Sequence, residues 1–190
     1  MKNKTGLLFW QPQTDYLRLL SSSQFGRISL IFLNYAIWIF FFYISYLLIK
    51  NNFLTFWQLF FATIIAELVE RLIKKTVFWR RPMFLRHDQT PLGLVDNWYR
   101  SGAFPSGHTI KATFFLLFII QYPIFFIPIF LIICLSLLFF RVFIGFHYPI
   151  DVLGGIIIGV LIWLPCHLIN LNIFLNPYLQ YIFNTIFLIN

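Results

Sequence analysis

Long apolar stretches separated by short polar connections divide this chain of 190 residues. Five of them lie at residues 28–49, 53–79, 108–121, 124–143 and 150–169. A helix of about 20 apolar residues is long enough to cross the hydrocarbon core of a bilayer. Because the sequence is 60% hydrophobic and only 11% charged, the chain is too apolar for an ordinary soluble domain. The pattern predicts an all-α, integral membrane helical bundle with five transmembrane helices.

The two ends of the chain are less regular than its middle. Residues 171–189 predict a sixth transmembrane helix, although Asn176 and Pro177 weaken its apolar pattern. Residues 1–27 mix apolar and polar groups, which is typical of a segment at the membrane interface. The first long apolar stretch has no small-residue cleavage site, so we expect no cleavable signal peptide. We therefore predict an interfacial segment over 1–27 and one transmembrane domain over 28–190.

The net positive charge of the chain limits the kinds of partner that it is expected to bind. A formal net charge of +8 could attract nucleic acid, but the sequence offers no soluble basic face to bind it. Cations beside membrane spans instead contact lipid headgroups, set the topology or line an anion site. Cys134 and Cys166 both fall inside apolar stretches, so we predict neither a disulfide nor a cysteine metal framework. The expected surroundings are a lipid bilayer without nucleic acid, and the oligomeric state is left open.

The first of three charged blocks ends the second apolar stretch. Lys74 and Arg81 are seven residues apart, which on a continuous helix would put them on nearly the same face. Pro82 disfavours helical backbone at Arg81 and ends the predicted helix there. The compact charge of lysine and the planar donors of arginine suit an oxyanion. The alternative is a basic helix end that contacts the membrane surface and sets the topology.

The second block, Pro105-Ser106-Gly107-His108, stands where a polar connection turns into an apolar helix. Ser106 is a typical N-cap, and Gly107 lets a ligand approach the backbone. The N–H groups and the dipole at the start of such a helix form an anion site. His108 beside it can carry a proton near neutral pH. An ordinary capped helix with an incidental histidine is the alternative.

The third block is Arg141-x5-His147-x3-Asp151. Pro149 suits the first turn of a helix, which puts Asp151 near its third position, where a carboxylate is favoured. From there Asp151 can accept a hydrogen bond from His147, which would fix the imidazole tautomer and leave its other nitrogen nucleophilic. The alternative is that Asp151 only caps its helix. By the count of spans all three blocks face one side of the membrane, which favours a site that holds and cleaves a phosphate.

Together, the patterns K-x6-R-P, P-S-G-H and R-x5-H-x3-D resemble the signature of the type 2 phosphatidic acid phosphatase family, whose site design is shared with vanadium haloperoxidases. The resemblance covers roughly residues 55–165. One position departs from it, because Phe140 precedes Arg141 where the family usually has serine. A haloperoxidase is disfavoured, since those enzymes are generally soluble.

The resemblance implies a role for each matched residue. His147 would be the nucleophile that forms a phosphohistidine, Asp151 would orient it, and His108 would act as general acid and then as general base. The groups that would hold the phosphoryl oxygens belong to Lys74, Arg81, Ser106, Gly107 and Arg141. The resemblance implies neither a metal nor another cofactor.

The resemblance also implies an enzyme, an integral membrane phosphatase whose partner is a lipid phosphate or diphosphate. Undecaprenyl diphosphate is the first substrate it suggests, and phosphatidate, phosphatidylglycerophosphate and lipid A phosphates are the alternatives. A non-catalytic lipid-phosphate binder or carrier is the alternative from another class, and it would need neither imidazole. The connection 80–107 would shape the headgroup pocket through Arg86, His87, Trp98, Tyr99 and Arg100. The alternative is that these residues are interfacial anchors, and for His87 taken alone that alternative is favoured.

Two arguments about sidedness disagree. The N-terminal segment carries Lys2, Lys4, Arg18 and Arg27, whereas the hairpin on the opposite side has only Lys50. The positive-inside rule therefore favours a cytoplasmic site. The resemblance favours a bacterial plasma membrane with the site on its outer face, and that is the expectation we adopt.

Overall fold

The computed structural model describes residues 6–51, 53–76, 78–85, 101–169 and 176–187. These residues form seven α-helices and two short 3₁₀-helices and contain no strand, which confirms the predicted all-α class. The α-helices are α1 (Tyr16–Ser21), α2 (Gln24–Asn51), α3 (Phe53–Lys74), α4 (Gly107–Gln121), α5 (Ile127–Phe143), α6 (Pro149–His167) and α7 (Asn176–Phe187). The 3₁₀-helices are Leu7–Phe9 and Pro82–Leu85.

Two helices are long and apolar enough to cross a membrane: α2, over Gln24–Leu48, and α6. Helices α4 and α5 are apolar but shorter. Helix α7 has 12 residues, a length of about 18 Å against the roughly 30 Å of a hydrocarbon core. Residues 170–175 and 188–190, which belong to the predicted sixth span, lie outside the described residues. The full number of five or six transmembrane helices therefore stays a prediction.

Apolar side chains cover the outside of the bundle. Phe32, Phe42, Ile132, Phe139 and Leu161 are each 60–74% exposed. The bundle buries cationic side chains at the same time, among them Arg81, Lys111 and Arg141. An exposed apolar surface of this extent is unusual for a soluble protein and is compatible with a protein surrounded by lipid.

Helix α3 ends earlier than its sequence suggested. We expected Lys74 and Arg81 on one continuous helix, and this was wrong because α3 ends at Lys74. The Thr76 N–H donates to the Ile73 carbonyl at 3.1 Å, and the Thr76 hydroxyl donates to the same oxygen at 2.5 Å. These bonds to the residue three positions back tighten the last turn and satisfy a carbonyl that a longer helix would have used. Arg81 is therefore positioned by a non-helical segment.

Close packing between α4 and α6 aligns the starts of these two helices. A Cβ atom on Gly155 would lie 2.7 Å from Thr109 Cβ, and one on Gly159 would lie 2.7 Å from Thr113 Cβ. Such distances are shorter than real Cβ contacts, so only glycine allows the helices to approach this closely. The contact fixes the start of α4, which carries His108, against the start of α6.

Hydrogen bonds tie the polar connections together at one end of the bundle. The Met83 N–H donates to the Gly145 carbonyl at 2.9 Å, and the Ala103 N–H donates to the Trp79 carbonyl at 3.1 Å. Gly145 has a φ of 86°, a left-handed conformation that favours glycine, and a Cβ there would lie 3.4 Å from Met83 N. The segment after α3, the segment before α4 and the turn between α5 and α6 therefore meet.

The described part of the N-terminal segment covers this junction. Phe9 packs against Trp79 and Tyr148, with both pairs of ring centroids 5.3 Å apart in edge-to-face geometry. Helix α2 begins at Gln24, a few residues before the predicted start of the first span.

Candidate active site

A cavity of about 410 Å³ lies where the three connections meet. Its lining combines residues of all three charged blocks with residues of α2 and the last turns of α3: Trp38, Glu67, Glu70, Arg71, Lys74, Lys75, Arg81, Ser101, Gly107, His108, Lys111, Arg141 and His147. The structure thus brings the three blocks together at one cavity, while their position at one face of the membrane stays a prediction. Six of the eight predicted site residues line the cavity, whereas Ser106 and Asp151 are buried outside this lining.

Hydrogen bonds on both sides of the His147 ring define its tautomer. Its Nδ1 lies 2.9 Å from the Ala103 carbonyl oxygen, which can only accept, so Nδ1 carries the proton. Its Nε2 lies 3.3 Å from Arg81 Nη1, which can only donate. The lone pair of His147 is therefore on Nε2, beside Arg81.

The surroundings of His147 also keep its ring neutral. The side chain is 2% exposed. Burial, followed by the positive charges of Arg81 and Arg141, holds the pKa of His147 well below its usual range. Because a protonated imidazole has no lone pair to offer, this environment preserves Nε2 as a nucleophile.

Asp151 lies behind His147 but is not the closest partner of its ring. Asp151 Oδ2 is 3.5 Å from His147 Nδ1 and accepts a hydrogen bond from the Tyr148 N–H at 2.7 Å. Its Oδ1 accepts from Trp79 Nε1 at 2.9 Å. The predicted approach of Asp151 to the His147 ring is present, but the nearer acceptor for the Nδ1 proton is the Ala103 carbonyl. Asp151 caps α6 and places a negative charge beside the ring.

The two buried arginines are held by different parts of the chain. Arg81 Nη1 donates to the Phe146 carbonyl at 3.2 Å. Arg141 Nη1 donates to Asn34 Oδ1 at 2.5 Å, and its guanidinium carbon lies 5.3 Å from the centre of the Phe146 ring. Sequence reasoning missed Asn34, although an amide inside the first apolar stretch was a visible signal. Buried polar groups need such partners.

Phe140 occupies the position before Arg141, where the family usually has serine. Phe140 is partly buried and packs against an apolar cluster that includes Met83, Ile144 and Phe146. It is not among the residues that line the cavity. The departure therefore changes packing beneath the turn and adds no side chain to the cavity wall.

The second block places two buried polar atoms at the start of α4 that have no hydrogen-bond partner among the described residues. Ser106 occupies the N-cap position but makes no side-chain capping bond, and its buried Oγ has no hydrogen-bond partner among the described residues. Its N–H donates to the Asp151 carbonyl at 3.0 Å, which joins the second block to the third. His108 Nε2 is likewise buried without a described partner, and the ring packs edge-on to Trp38.

Lys111 on α4 joins Glu67 and Glu70 of α3 in a charge network on the cavity wall, a pairing that sequence reasoning missed. Lys111 Nζ lies 2.8 Å from Glu67 Oε1 and 3.3 Å from Glu70 Oε2. Glu70 also pairs with Lys74 through its other oxygen. The ammonium of Lys111 lies 5.1 Å from the centre of the Trp38 ring, and the side chain is 3% exposed. A single lysine inside the apolar stretch 108–121 was the signal.

Some predicted features cannot be placed. The residues predicted to shape a headgroup pocket lie outside the described residues: Arg86, His87, Trp98, Tyr99 and Arg100.

Within the described ranges no three His, Cys, Asp or Glu side chains are grouped to hold a metal ion, and Cys134 and Cys166 are buried free thiols.

The arrangement combines a neutral imidazole with its lone pair beside an arginine, a second imidazole in the same cavity and a surplus of cations. It can bind an oxyanion, attack it and exchange a proton with it. The model of the PAP2 superfamily matches residues 55–174, and no match to a curated protein or to a solved structure was found. The matched range contains all three motifs and covers more than half of the 190 residues. This chain belongs to the PAP2 superfamily, a membership that supports a phosphatase of the lipid-phosphate type.

Proposed function

We propose that this protein is an integral membrane phosphatase that hydrolyses a lipid phosphate or diphosphate through a phosphohistidine on His147. The observation that carries the proposal is the tautomer of His147: Nδ1 donates to Ala103 while Nε2 keeps its lone pair beside Arg81. A nucleophile and a phosphoryl-binding cation are thereby adjacent. A protein that binds a phosphate without cleaving it does not need this histidine fixed in one tautomer.

The first step transfers the phosphoryl group to the protein. Lys74, Arg81 and Arg141 hold the phosphoryl oxygens, and the negative charge of the bound substrate favours the protonated form of His108. The lone pair on His147 Nε2 attacks phosphorus while the bond from phosphorus to the lipid oxygen breaks. Protonated His108 gives its proton to the departing oxygen, and the lipid leaves as an alcohol or a monophosphate.

The second step regenerates the protein. A water molecule gives a proton to His108 as its oxygen attacks phosphorus, the N–P bond breaks and inorganic phosphate leaves. Throughout, Nδ1 of His147 keeps its proton, so the ring is positively charged while it carries the phosphoryl group. Asp151 Oδ2 at 3.5 Å stabilises that charge.

The cavity supports a polyanionic headgroup as the substrate. Its volume of about 410 Å³ lies in the range of small-molecule sites. Its lining contains six cationic side chains and two carboxylates, an excess of positive charge that suits a diphosphate. Undecaprenyl diphosphate is therefore the first substrate we propose. Phosphatidate, phosphatidylglycerophosphate and lipid A phosphates are the competing candidates, and each carries at least one terminal phosphate.

The test is phosphate release by the purified protein in detergent from each of these four lipid classes, with His147→Ala as the paired variant. We expect release from at least one class and the highest kcat/KM for the diphosphate. His147→Ala should lose activity by at least about 1,000-fold. Equal activity of the variant and the wild type would overturn the mechanism. Binding of the lipids without any release would favour a non-catalytic binder instead.

We further propose that the protein lies in a bacterial plasma membrane with its cavity on the outer face. The apolar exterior of the bundle supports the membrane location. A Gly93→Cys variant, with Cys134 and Cys166 replaced by serine, tests the orientation. A membrane-impermeant thiol reagent should label it in intact cells, and labelling only after lysis would place the cavity in the cytoplasm.

A further inference from the structure

The carboxylate of Glu70 contacts two of the five groups predicted to hold a phosphate. One of its oxygens pairs with Lys74 and the other lies 3.3 Å from Lys111 Nζ. A Cβ atom placed on Gly107 would collide with the same carboxyl group, so the carboxylate packs directly against the start of α4. Lys74 and Gly107 are both among the groups predicted to hold phosphoryl oxygens. An anion of the protein thus contacts two of the predicted phosphate ligands.

Lys111 is the third contact of this carboxylate. It lies on α4, almost one turn beyond His108, and its side chain is 3% exposed on the wall of the cavity. A buried ammonium is costly unless an anion neutralises it. Lys111 has two such anions, Glu70 at 3.3 Å and Glu67 at 2.8 Å. Because the ion pairs of Glu67 among the described residues are with Arg71 and Lys111, Glu67 can remain with Lys111 when Glu70 moves away.

The exchange of Glu70 for a phosphate is favourable on electrostatic grounds. A terminal phosphate carries up to two negative charges and three oxygens, whereas a carboxylate carries one charge and two oxygens. The phosphate can therefore satisfy Lys74, Lys111 and the helix start at the same time. A phosphodiester carries a single charge and gains little over the carboxylate that it must displace.

We propose that Lys111 is a further phosphate-binding residue, and that the Glu70 carboxylate holds the anion position until a terminal phosphate displaces it. This inference rests on the proposed function and deepens it. Competition with Glu70 selects terminal phosphates, whether of a monoester or of a diphosphate, against phosphodiesters. Lys111 thus determines specificity through the charge of the headgroup.

The test measures binding of inorganic phosphate directly, by the phosphate-dependent rise in Tm and by ³¹P NMR titration of purified protein. Lys111→Gln should weaken phosphate binding about tenfold, the loss of one charge-assisted contact, while Lys111→Arg retains most of it. Glu70→Gln should strengthen binding about fivefold, because the internal competitor has lost its charge.

Two variants serve as matched controls. Glu67→Gln removes the same charge from the same helix, but among the described residues it is Glu70 that pairs with Lys74 and packs against Gly107, so the effect of Glu67→Gln should be less than about twofold. Arg80→Gln removes one cation beside Arg81 from an exposed side chain outside the cavity lining, and phosphate binding should again change by less than about twofold.

Unchanged phosphate binding in Lys111→Gln, or weaker binding in Glu70→Gln, would overturn the inference. If Lys111→Gln does not fold, the contrast between the fivefold gain expected for Glu70→Gln and the near-unchanged binding expected for Glu67→Gln still decides it. If the wild type releases phosphate from lipids and Lys111→Gln binds phosphate as tightly as the wild type, this inference alone would be overturned. Phosphate binding that follows the expected order without any lipid hydrolysis would overturn the proposed function alone.

Discussion

The Nδ1 atom of His147 lies 2.9 Å from the carbonyl oxygen of Ala103, closer than the 3.5 Å that separates it from Asp151 Oδ2. A backbone carbonyl therefore fixes the tautomer, and the carboxylate contributes charge. In a serine-protease triad the carboxylate does both. Because Ala103 and Asp151 have different roles beside His147, we expect different effects when each contact is changed.

The first prediction concerns the protonation of His147. Burial and the neighbouring arginines disfavour the charged ring, so its pKa lies well below the usual range and the ring stays neutral as the pH falls through that range. In ¹⁵N NMR of histidine-labelled protein, the His147 signals should show a protonated Nδ1 and an unprotonated Nε2 at pH 7. The spectrum of His147→Gln assigns them. A ring that titrates at the ordinary histidine value of about 6.5 would contradict this environment.

The second prediction separates charge from tautomer at Asp151. Asp151→Asn keeps a polar side chain of similar size beside Trp79 and Tyr148, but removes the negative charge near Nδ1. Because Ala103 still holds the tautomer, we expect kcat to fall by about 100-fold rather than by the roughly 10⁴-fold seen when a triad loses its correct tautomer. The ¹⁵N spectrum should still show a proton on Nδ1. A shift of the proton to Nε2 would show that Asp151 fixes the tautomer after all.

The third prediction concerns Asn34, which accepts the hydrogen bond of Arg141. Asn34→Leu keeps the volume of the side chain but removes the acceptor, so the guanidinium loses its alignment towards the cavity. We expect kcat/KM to fall about tenfold, an effect of one lost charge-assisted hydrogen bond. Ser45→Ala is the control on the same helix, because its hydroxyl donates to the Phe41 carbonyl within α2. A wild-type kcat/KM in Asn34→Leu would exclude a positioning role for this amide.

The fourth prediction tests the close packing that aligns α4 with α6. Gly155→Ala introduces a Cβ atom 2.7 Å from Thr109 Cβ and 2.9 Å from the Ser106 carbonyl. Forcing the helices apart should cost about 1–3 kcal/mol of unfolding free energy. It should also lower kcat, since His108 and Asp151 begin these helices. Ile156→Ala, on the exposed face of α6, is the control and should change the unfolding free energy by less than about 0.5 kcal/mol. Wild-type stability in Gly155→Ala would contradict this packing.

The apolar stretches and the motif spacing predicted most of the frame of this molecule. The all-α class, the start of α6 at Pro149 with Asp151 at its third position, and the convergence of the three blocks are all seen in the structure. These features follow from local rules on hydropathy, proline and the order of helices. They required no knowledge of how side chains pack against one another.

The details that escaped prediction depend on contacts between distant parts of the chain. Ala103 is an unremarkable residue in the sequence, and only the fold brings its carbonyl to His147, 44 positions later. Asn34 and Arg141 are 107 positions apart. Lys111 and Glu70 stood outside the motif spacing, so their pairing was invisible. The end of α3 was misjudged because Thr76 bonds back to Ile73, a local alternative to continuing the helix.

The central claim, that His147 carries the phosphoryl group during turnover, can be tested by trapping the intermediate. The purified protein is mixed with undecaprenyl diphosphate labelled with ³²P in its terminal phosphate and quenched in alkali, in which phosphohistidine survives. His108→Gln should accumulate the intermediate from this diphosphate, because a monophosphate leaving group depends less on a general acid than water depends on the missing base. The account predicts label on the peptide that contains His147 and none in His147→Gln. Turnover of the labelled lipid with no protein-bound phosphate in either protein, or label on another residue, would contradict it.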